Sequence, residues 1–201
     1  KKIPESVIKI IDSLNVDLHK VDNQDLGEDF HLNKHSVKIA KKAIELIDPK
    51  ISKKSIFNSI RNTKILGRCH LISNELLVDV AHNEDAIKNL KSFIESRKLN
   101  KNGISAIFHC SKSKNPISLI SPLNGLIKEL RIPKIENFRL LDEEHIKESL
   151  GNNLGKKIFI DETIEKSIKE IRLLKPKCLI LIFGSFYLAG EFYKLQLRKN
   201  V

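Results

Sequence analysis

The sequence contains no methionine and no tryptophan, and only two tyrosines and three cysteines in 201 residues. Without a methionine at its first position, the chain reads as a fragment or a truncated gene product. Cys69, Cys110 and Cys178 are widely spaced and odd in number, which gives neither a disulfide framework nor a zinc-ligand spacing. Free buried thiols in a reducing cytoplasm are expected, and no metal site. No apolar run approaches the ~20 residues that span a bilayer. The N-terminal KKIPESVIKIIDSL has neither the apolar core nor the small-residue cleavage site of a signal peptide. A cytoplasmic chain without a membrane partner is expected. There is no Walker A motif, G-x-x-x-x-G-K-[ST], so a phosphate cradle of that kind must come from elsewhere. The frame G-x-S-x-G is also missing: Phe183 precedes Gly184-Ser185, and Tyr187 stands where the last glycine would be. With few aromatics, most of them on apolar faces, stacking platforms for single-stranded nucleic acid are scarce.

What is present supports a folded core and a basic surface. Hydrophobic residues make up 41% and the formal net charge is +11. A positive field favours anionic partners. The lysines, however, are spread through almost every helical stretch and interleaved with Glu and Asp, rather than gathered on one face as in a nucleic-acid footprint. A solvated surface and no nucleic-acid partner are expected.

The first third of the chain reads as helical. Val7, Ile8, Ile11 and Leu14 recur at helical spacing within Pro4–Leu14, and Leu18–Phe30 is polar and reads as a short strand and loop. A helix follows over Lys34–Ile47, stopped by Asp48-Pro49, and a shorter one over Ser52–Asn62 carries Ile56, Phe57 and Ile60. Ile65-Leu66-Gly67-Arg68 forms a turn, and a boundary placed there divides residues 1–66 from 67–201. Beyond it strands alternate with helices, the pattern of βα units around a mainly parallel sheet. Strands are expected at Leu76–Val80, Ile104–His109, Asn137–Leu140, Lys157–Ile160 and Cys178–Phe183. The last is the most apolar and the natural centre of a sheet covered on both faces. Helices are expected over Asn83–Lys98, over most of Pro116–Leu130, from an Asp142 cap to Leu150, after an Asp161 cap, and over Phe186–Arg198. Gly151–Gly155 reads as a loop.

Chemistry gathers where strands end, because open α/β sheets bind ligands outside the carboxyl ends of their strands. In ELLVDVAHNE an apolar run delivers Asp79 and then His82 and Asn83. Asp79 could accept the hydroxyls of a nucleotide ribose, or close a strand-end turn. His82 could meet a phosphate or a carboxylate, or serve as a structural hydrogen bonder. Asn83 suits a helix cap. Arg68 could clamp a phosphate bidentately or lie on the surface, and Gly67 would let the backbone turn sharply. Ser185 reads as a helix cap whose hydroxyl and neighbouring amides could also bind an anion. Lys112 and Lys114, past the strand Ile104–His109, could do the same or remain wet loop lysines.

ILGR ending at Arg68, DVAHN at Asp79–Asn83 and GSFYLAGE at Gly184–Glu191, in that order, resemble the C-terminal part of the folylpolyglutamate synthase/dihydrofolate synthase family, within the Mur ligase superfamily. The resemblance implies a Rossmann-like C-terminal ligase domain preceded by the tail of a central ATPase domain, with the P-loop and the magnesium ligands upstream. It implies an ATP- and Mg2+-dependent ligase in which a carboxylate of dihydropteroate or folate is phosphorylated and the amine of L-glutamate attacks the acyl phosphate. Tetrahydrofolate would be the acceptor in chain extension, and the protein would be a monomer. Arg68 would contact ATP phosphates, Asp79 the ribose, and His82 and Ser185 the glutamate or the γ-phosphate. Ser36 stands where the family usually has an asparagine near the adenine. Glu84 follows Asn83 where the family commonly has proline, and Ser113-Lys114-Asn115 replaces an Asp-Lys-Asp stretch, so Lys114 is kept and both acids are lost. The fragment itself would be an inactive half-site. A Mur-type peptidoglycan ligase fragment is a second reading, against which GSFYLAGE argues. A non-catalytic basic α/β binding module is a third.

Overall fold

The computed structural model describes residues 3–21, 32–155 and 157–199. The chain divides into two compact units, Lys1–Asn62 and Thr63–Val201.

The first unit holds three helices: α1 (Glu5–Ser13), α2 (Lys34–Ile47) and α3 (Lys53–Asn62). The Asn33 side chain caps α2 by accepting the Ser36 amide at 3.1 Å, and the Ser52 hydroxyl accepts from the Ser55 amide at the start of α3. Val37, Ile56 and Ile60 form a small core, with Leu32, Ile44, Ile51 and Phe57 packed against it. Helix α1 carries its expected apolar spacing, yet none of its residues is buried. The expected short strand and loop over Leu18–Phe30 lies mostly outside the described residues.

The second unit is a three-layer α/β fold. Its strands are β1 (His70–Ser73), β2 (Leu76–Asp79), β3 (Ile104–Phe108), β4 (Ile127–Pro133), β5 (Lys157–Asp161) and β6 (Leu179–Phe183). The sheet order is β1-β2-β6-β3-β4-β5. Edge strand β1 is antiparallel to β2, and every other pair is parallel. Strand β6 sits inside the sheet, as its unbroken apolar run requires.

The topology explains how the faces are covered. From β2 the chain steps outward through α4 (Glu84–Ser96), α5 (Pro116–Ile120) and α6 (Glu143–Leu154), then returns through α7 (Ile164–Leu174) to insert β6 between β2 and β3. Crossovers of one hand put the outward helices on one face and the returning helix on the other. On the first face Leu179, Leu181 and Phe183 meet Ile87, Leu90, Ile120, Ile146 and Leu150. On the second, Ile180 and Ile182 meet Ile168, Ile171 and, from α8 (Phe186–Lys199), Leu188 and Phe192. The two-residue period of β6 thus divides one strand between two cores.

Several expected elements differ. Residues 116–130 are not one interrupted helix. Five residues of α5 pass into a 3-10 turn at Ser121–Leu123, and β4 begins at Ile127. The charged residues of β4 concealed it: Glu129 and Arg131 point into the α7 face, where ion pairing satisfies them. Asn137–Leu140 forms no strand, only an isolated bridge from Leu140 to Ser111. Helix α6 continues past Leu150 to Leu154 and ends on Gly155 in the left-handed region, in place of the expected loop. Strand β1, short and largely exposed, gave no apolar signal. Thr163, not Asp161, caps α7, because Asp161 ends β5 and is drawn inward by Arg131.

All three thiols are free, with Cys110 and Cys178 buried and Cys69 partly exposed. Burial pushes the Cys110 thiol up to about 12. The thiolate is the reactive form, so native protein at pH 8 should label at Cys110 and Cys178 only as fast as it opens. Denatured protein should label at all three positions. Site-resolved mass spectrometry after a short exposure to iodoacetamide checks this, and rapid native labelling of Cys110 would contradict the fold.

Candidate functional site

Because β2, β3 and β6 are parallel, their carboxyl ends share one edge of the sheet, and the candidate residues lie along it. Asp79 closes β2 and is 6% exposed. Its carboxylate accepts the Cys69 amide on Oδ2 and the Ala81 amide on Oδ1, both at 2.7 Å. Burial raises the Asp79 carboxyl above its ordinary value, against the opposing pull of those two amides and of the Arg68 charge. The strand-end turn and the functional position therefore coincide: Asp79 fixes the backbone on either side of itself and also accepts from the Cys69 thiol.

Arg68 follows Gly67, which has φ +68°. A Cβ on Gly67 would stand 2.8 Å from Cγ1 of Val80, and the Gly67 carbonyl accepts the Val80 amide at 2.8 Å. Only a residue without a side chain fits this approach. The turn projects the exposed Arg68 side chain over the ring of Phe186, with the guanidinium carbon 5.5 Å from the ring centroid. Among the described residues, no ion pair joins Arg68 to a carboxylate.

His82 meets the same ring, its centroid 5.4 Å from that of Phe186. Its Nδ1 lies 2.9 Å from the Val80 carbonyl. A carbonyl can only accept, so the proton sits on Nδ1 and the Nε2 lone pair is left for a ligand. Asn83 caps α4 by accepting the Ala86 amide at 2.9 Å, which favours the capping reading of that residue. Ser185 is buried, and its Oγ accepts the Tyr187 amide at 3.1 Å at the start of α8.

Arg68 and His82 thus converge on Phe186, directly after Ser185. Lys114 lies on the same edge of the sheet but in a separate cavity of about 440 Å3 past β3, lined by Lys112, Ser113, Asn115, His145 and Ser149 among others. Ser36 belongs to the first unit, in the first turn of α2, where the amide side chain at the helix start comes from Asn33 instead.

Two residues went unmarked in the sequence. Phe186 is 56% exposed, and its only signal was an aromatic in the first turn of a helix just after a strand exit. His109 is fully buried at the exit of β3. Its Nδ1 lies 3.1 Å from the Cys110 amide and its Nε2 3.2 Å from Glu143 Oε1, which also accepts the Ile135 amide. This pair ties the strand exit to the start of α6. Among the described residues, no group of three or more His, Cys, Asp or Glu side chains could hold a metal ion, and no helix is long and apolar enough to cross a membrane.

No family model matches the chain. A dihydrofolate synthase/folylpolyglutamate synthase from Buchnera aphidicola subsp. Acyrthosiphon pisum is 31% identical over 152 residues, covering 74% of this chain and 36% of that protein. Among solved structures, E. coli FolC in complex with ADP, without folate substrate, matches with a TM-score of 0.80 at 18% identity, over 100% of this chain and 53% of that one. A bifunctional folylpolyglutamate synthase/dihydrofolate synthase from Yersinia pestis, complexed with AMPPNP and Mn ion, matches with a TM-score of 0.79 at 16% identity, over 97% of this chain and 51% of that one. At such identities the structural likeness shows the fold alone. The chain spans about a third of the curated relative (36%) and about half of the solved neighbours (53% and 51%).

Proposed function

We propose that this chain, similar in sequence and fold to dihydrofolate synthase/folylpolyglutamate synthases, is the C-terminal part of such a ligase of the Mur ligase superfamily and forms the nucleotide- and glutamate-facing half of an ATP-dependent amide ligase. The observation that carries the reading is the convergence of Arg68 and His82 on Phe186, beside Ser185, at the carboxyl ends of β2 and β6.

Such a ligase transfers the γ-phosphoryl group of ATP to a carboxylate of dihydropteroate or folate. The amine of L-glutamate then attacks the acyl carbon and expels phosphate. Catalysis of this kind is mostly positioning and charge neutralisation. Arg68, exposed and in no ion pair with an acid among the described residues, supplies a cation to the phosphates. Asp79 offers its remaining acceptor capacity to the ribose while holding the Arg68 turn. The Nε2 atom of His82 and the amides at the start of α8 face the γ-phosphate or the incoming glutamate, and Lys114 offers a second cation for a carboxylate. Asn83 contributes by starting α4 where it does. Mg2+ would be held by the part of the fold that carries the P-loop. Residues 1–66 would be the tail of the central ATPase domain, and residues 67–201 the C-terminal ligase domain. Ser36 would then face the adenine. The 201-residue chain by itself would bind nucleotide without turning it over.

Calorimetric titration of the 201-residue chain with ATP tests this reading. Measurable binding is expected, and Arg68→Ala should weaken it about tenfold or more, because a charge-assisted hydrogen bond to phosphate contributes on the order of 1.5–3 kcal/mol. A chain that binds no ATP, or an Arg68→Ala variant that binds it equally well, would overturn the assignment.

A further inference from the structure

The aim of Arg68 depends on its backbone, since among the described residues no carboxylate holds its head group in an ion pair. That backbone is an improbable one. Gly67 has φ +68° and Cys69 φ +43°, so the turn enters the left-handed region on both sides of Arg68. A non-glycine residue in that region needs outside support. The support consists of three consecutive amides, each with its own acceptor. Arg68 donates to the Ile65 carbonyl at 3.1 Å, Cys69 donates to Asp79, and Gly67 donates at 2.8 Å to the hydroxyl of Tyr193.

Tyr193 lies on α8, two turns past Ser185, and 126 residues from Gly67. Its hydroxyl also lies 2.8 Å from Nδ1 of His70. The oxygen accepts from Gly67 and its O–H donates to His70 Nδ1, which places the imidazole proton on Nε2. Burial and the charge of Lys64 lower the proton affinity of His70, which favours the neutral imidazole, one of whose two tautomers accepts on Nδ1. Burial holds Tyr193 in its protonated form, the one able to donate. The ring is fixed as well, stacked on His70 at 5.8 Å and edge-on to the buried Phe192 at 5.4 Å. One helix therefore reaches the Arg68 turn twice: at its start through the Phe186 ring beneath the guanidinium, and further along through the Tyr193 hydroxyl on the backbone.

We propose that Tyr193 is a positioning residue for Arg68, its hydroxyl locking the Gly67–Cys69 turn to α8 so that the guanidinium, Phe186 and Ser185 are held in one register. This rests on the reading of Arg68 as a phosphate-binding group, and the test separates the two. Tyr193→Phe removes one oxygen and keeps the ring. In the 201-residue chain, trypsin should cleave after Arg68 roughly five- to tenfold faster in this variant, because local opening governs native-state cleavage. Cleavage at other sites and the thermal midpoint should hardly change. The 15N shifts of His70 should lose the pure Nε2-protonated signature, and ATP affinity should weaken severalfold. Unchanged cleavage after Arg68, or acceleration at all sites together, would overturn the proposal, the latter by showing a merely structural hydroxyl. A wild-type chain that binds no ATP but shows the turn-specific cleavage would sink the ligase reading and leave the positioning role standing. Normal ATP binding with identical cleavage in both proteins would do the reverse.

Discussion

Gly184→Ala should destabilise the second unit by about 4 kcal/mol and lower its thermal midpoint by roughly 10 °C. Two independent penalties add. Gly184 has φ +105°, where a side chain strains the backbone by about 1–2 kcal/mol. A Cβ there would stand 2.4 Å from the His109 carbonyl oxygen and 2.6 Å from the Phe108 ring. Neither obstacle can swing aside. The carbonyl belongs to the exit of β3, and the Phe108 ring is buried against Phe183 with centroids 5.0 Å apart. Overpacking against such neighbours adds about 1–3 kcal/mol, and a unit of this size loses about 2–4 °C per kcal/mol. The measurement is a thermal melt followed by circular dichroism. A shift of less than about 3 °C would mean that β6 and β3 do not exit the sheet as described. The same close approach bears on function, because it sets the direction in which Ser185 and Phe186 leave the sheet.

Arg131→Met should cost about 3–5 kcal/mol, read as a lower urea midpoint. Arg131 is 3% exposed between Glu129 at 4% and Asp161 at 5%. Its Nη1 donates to both Asp161 oxygens at 3.1 Å, its Nε lies 3.4 Å from Glu129, and its guanidinium lies over the Phe159 ring at 4.6 Å. Without the cation, among the described residues Asp161 keeps only the Ser167 hydroxyl, and Glu129 only Lys175, as side-chain partners. Breaking a buried ion network by removing one member is far costlier than replacing the whole network with apolar groups. The triple variant Glu129→Leu, Arg131→Met, Asp161→Leu should therefore recover most of the loss. If the single and triple variants unfold at the same urea concentration, the penalty is one of packing and not of unpaired charge.

Arg131 also shows where local reading stops. A stretch reading Ile127-Lys-Glu-Leu-Arg-Ile132 fits a helix as readily as a strand, and Glu129 and Arg131 look like surface residues until Asp161, thirty positions on, is brought opposite. The same applies to Asp161, a plausible helix cap by sequence and a buried ion-pair partner in the fold. By contrast β2, β3 and β6 were legible because unbroken apolar runs have few other places to go. Asn83 and Asp142 were legible as caps because a cap bonds to an amide three residues away.

By itself, then, the sequence determined the alternation of buried strands with amphipathic helices, the strand-end positions of Asp79 and Ser185, and the resemblance carried by ILGR, DVAHN and GSFYLAGE. These are properties of neighbours along the chain. The tertiary structure alone decided that Arg68 and His82 both meet the Phe186 ring, that Asp79 holds the Cys69 amide, and that Tyr193 reaches back to Gly67. The contacts of Phe186 and Tyr193 join segments that meet because β6 inserts beside β2, the Asp79–Cys69 bond follows from the pairing of β1 with β2, and no local periodicity records which strands will lie side by side.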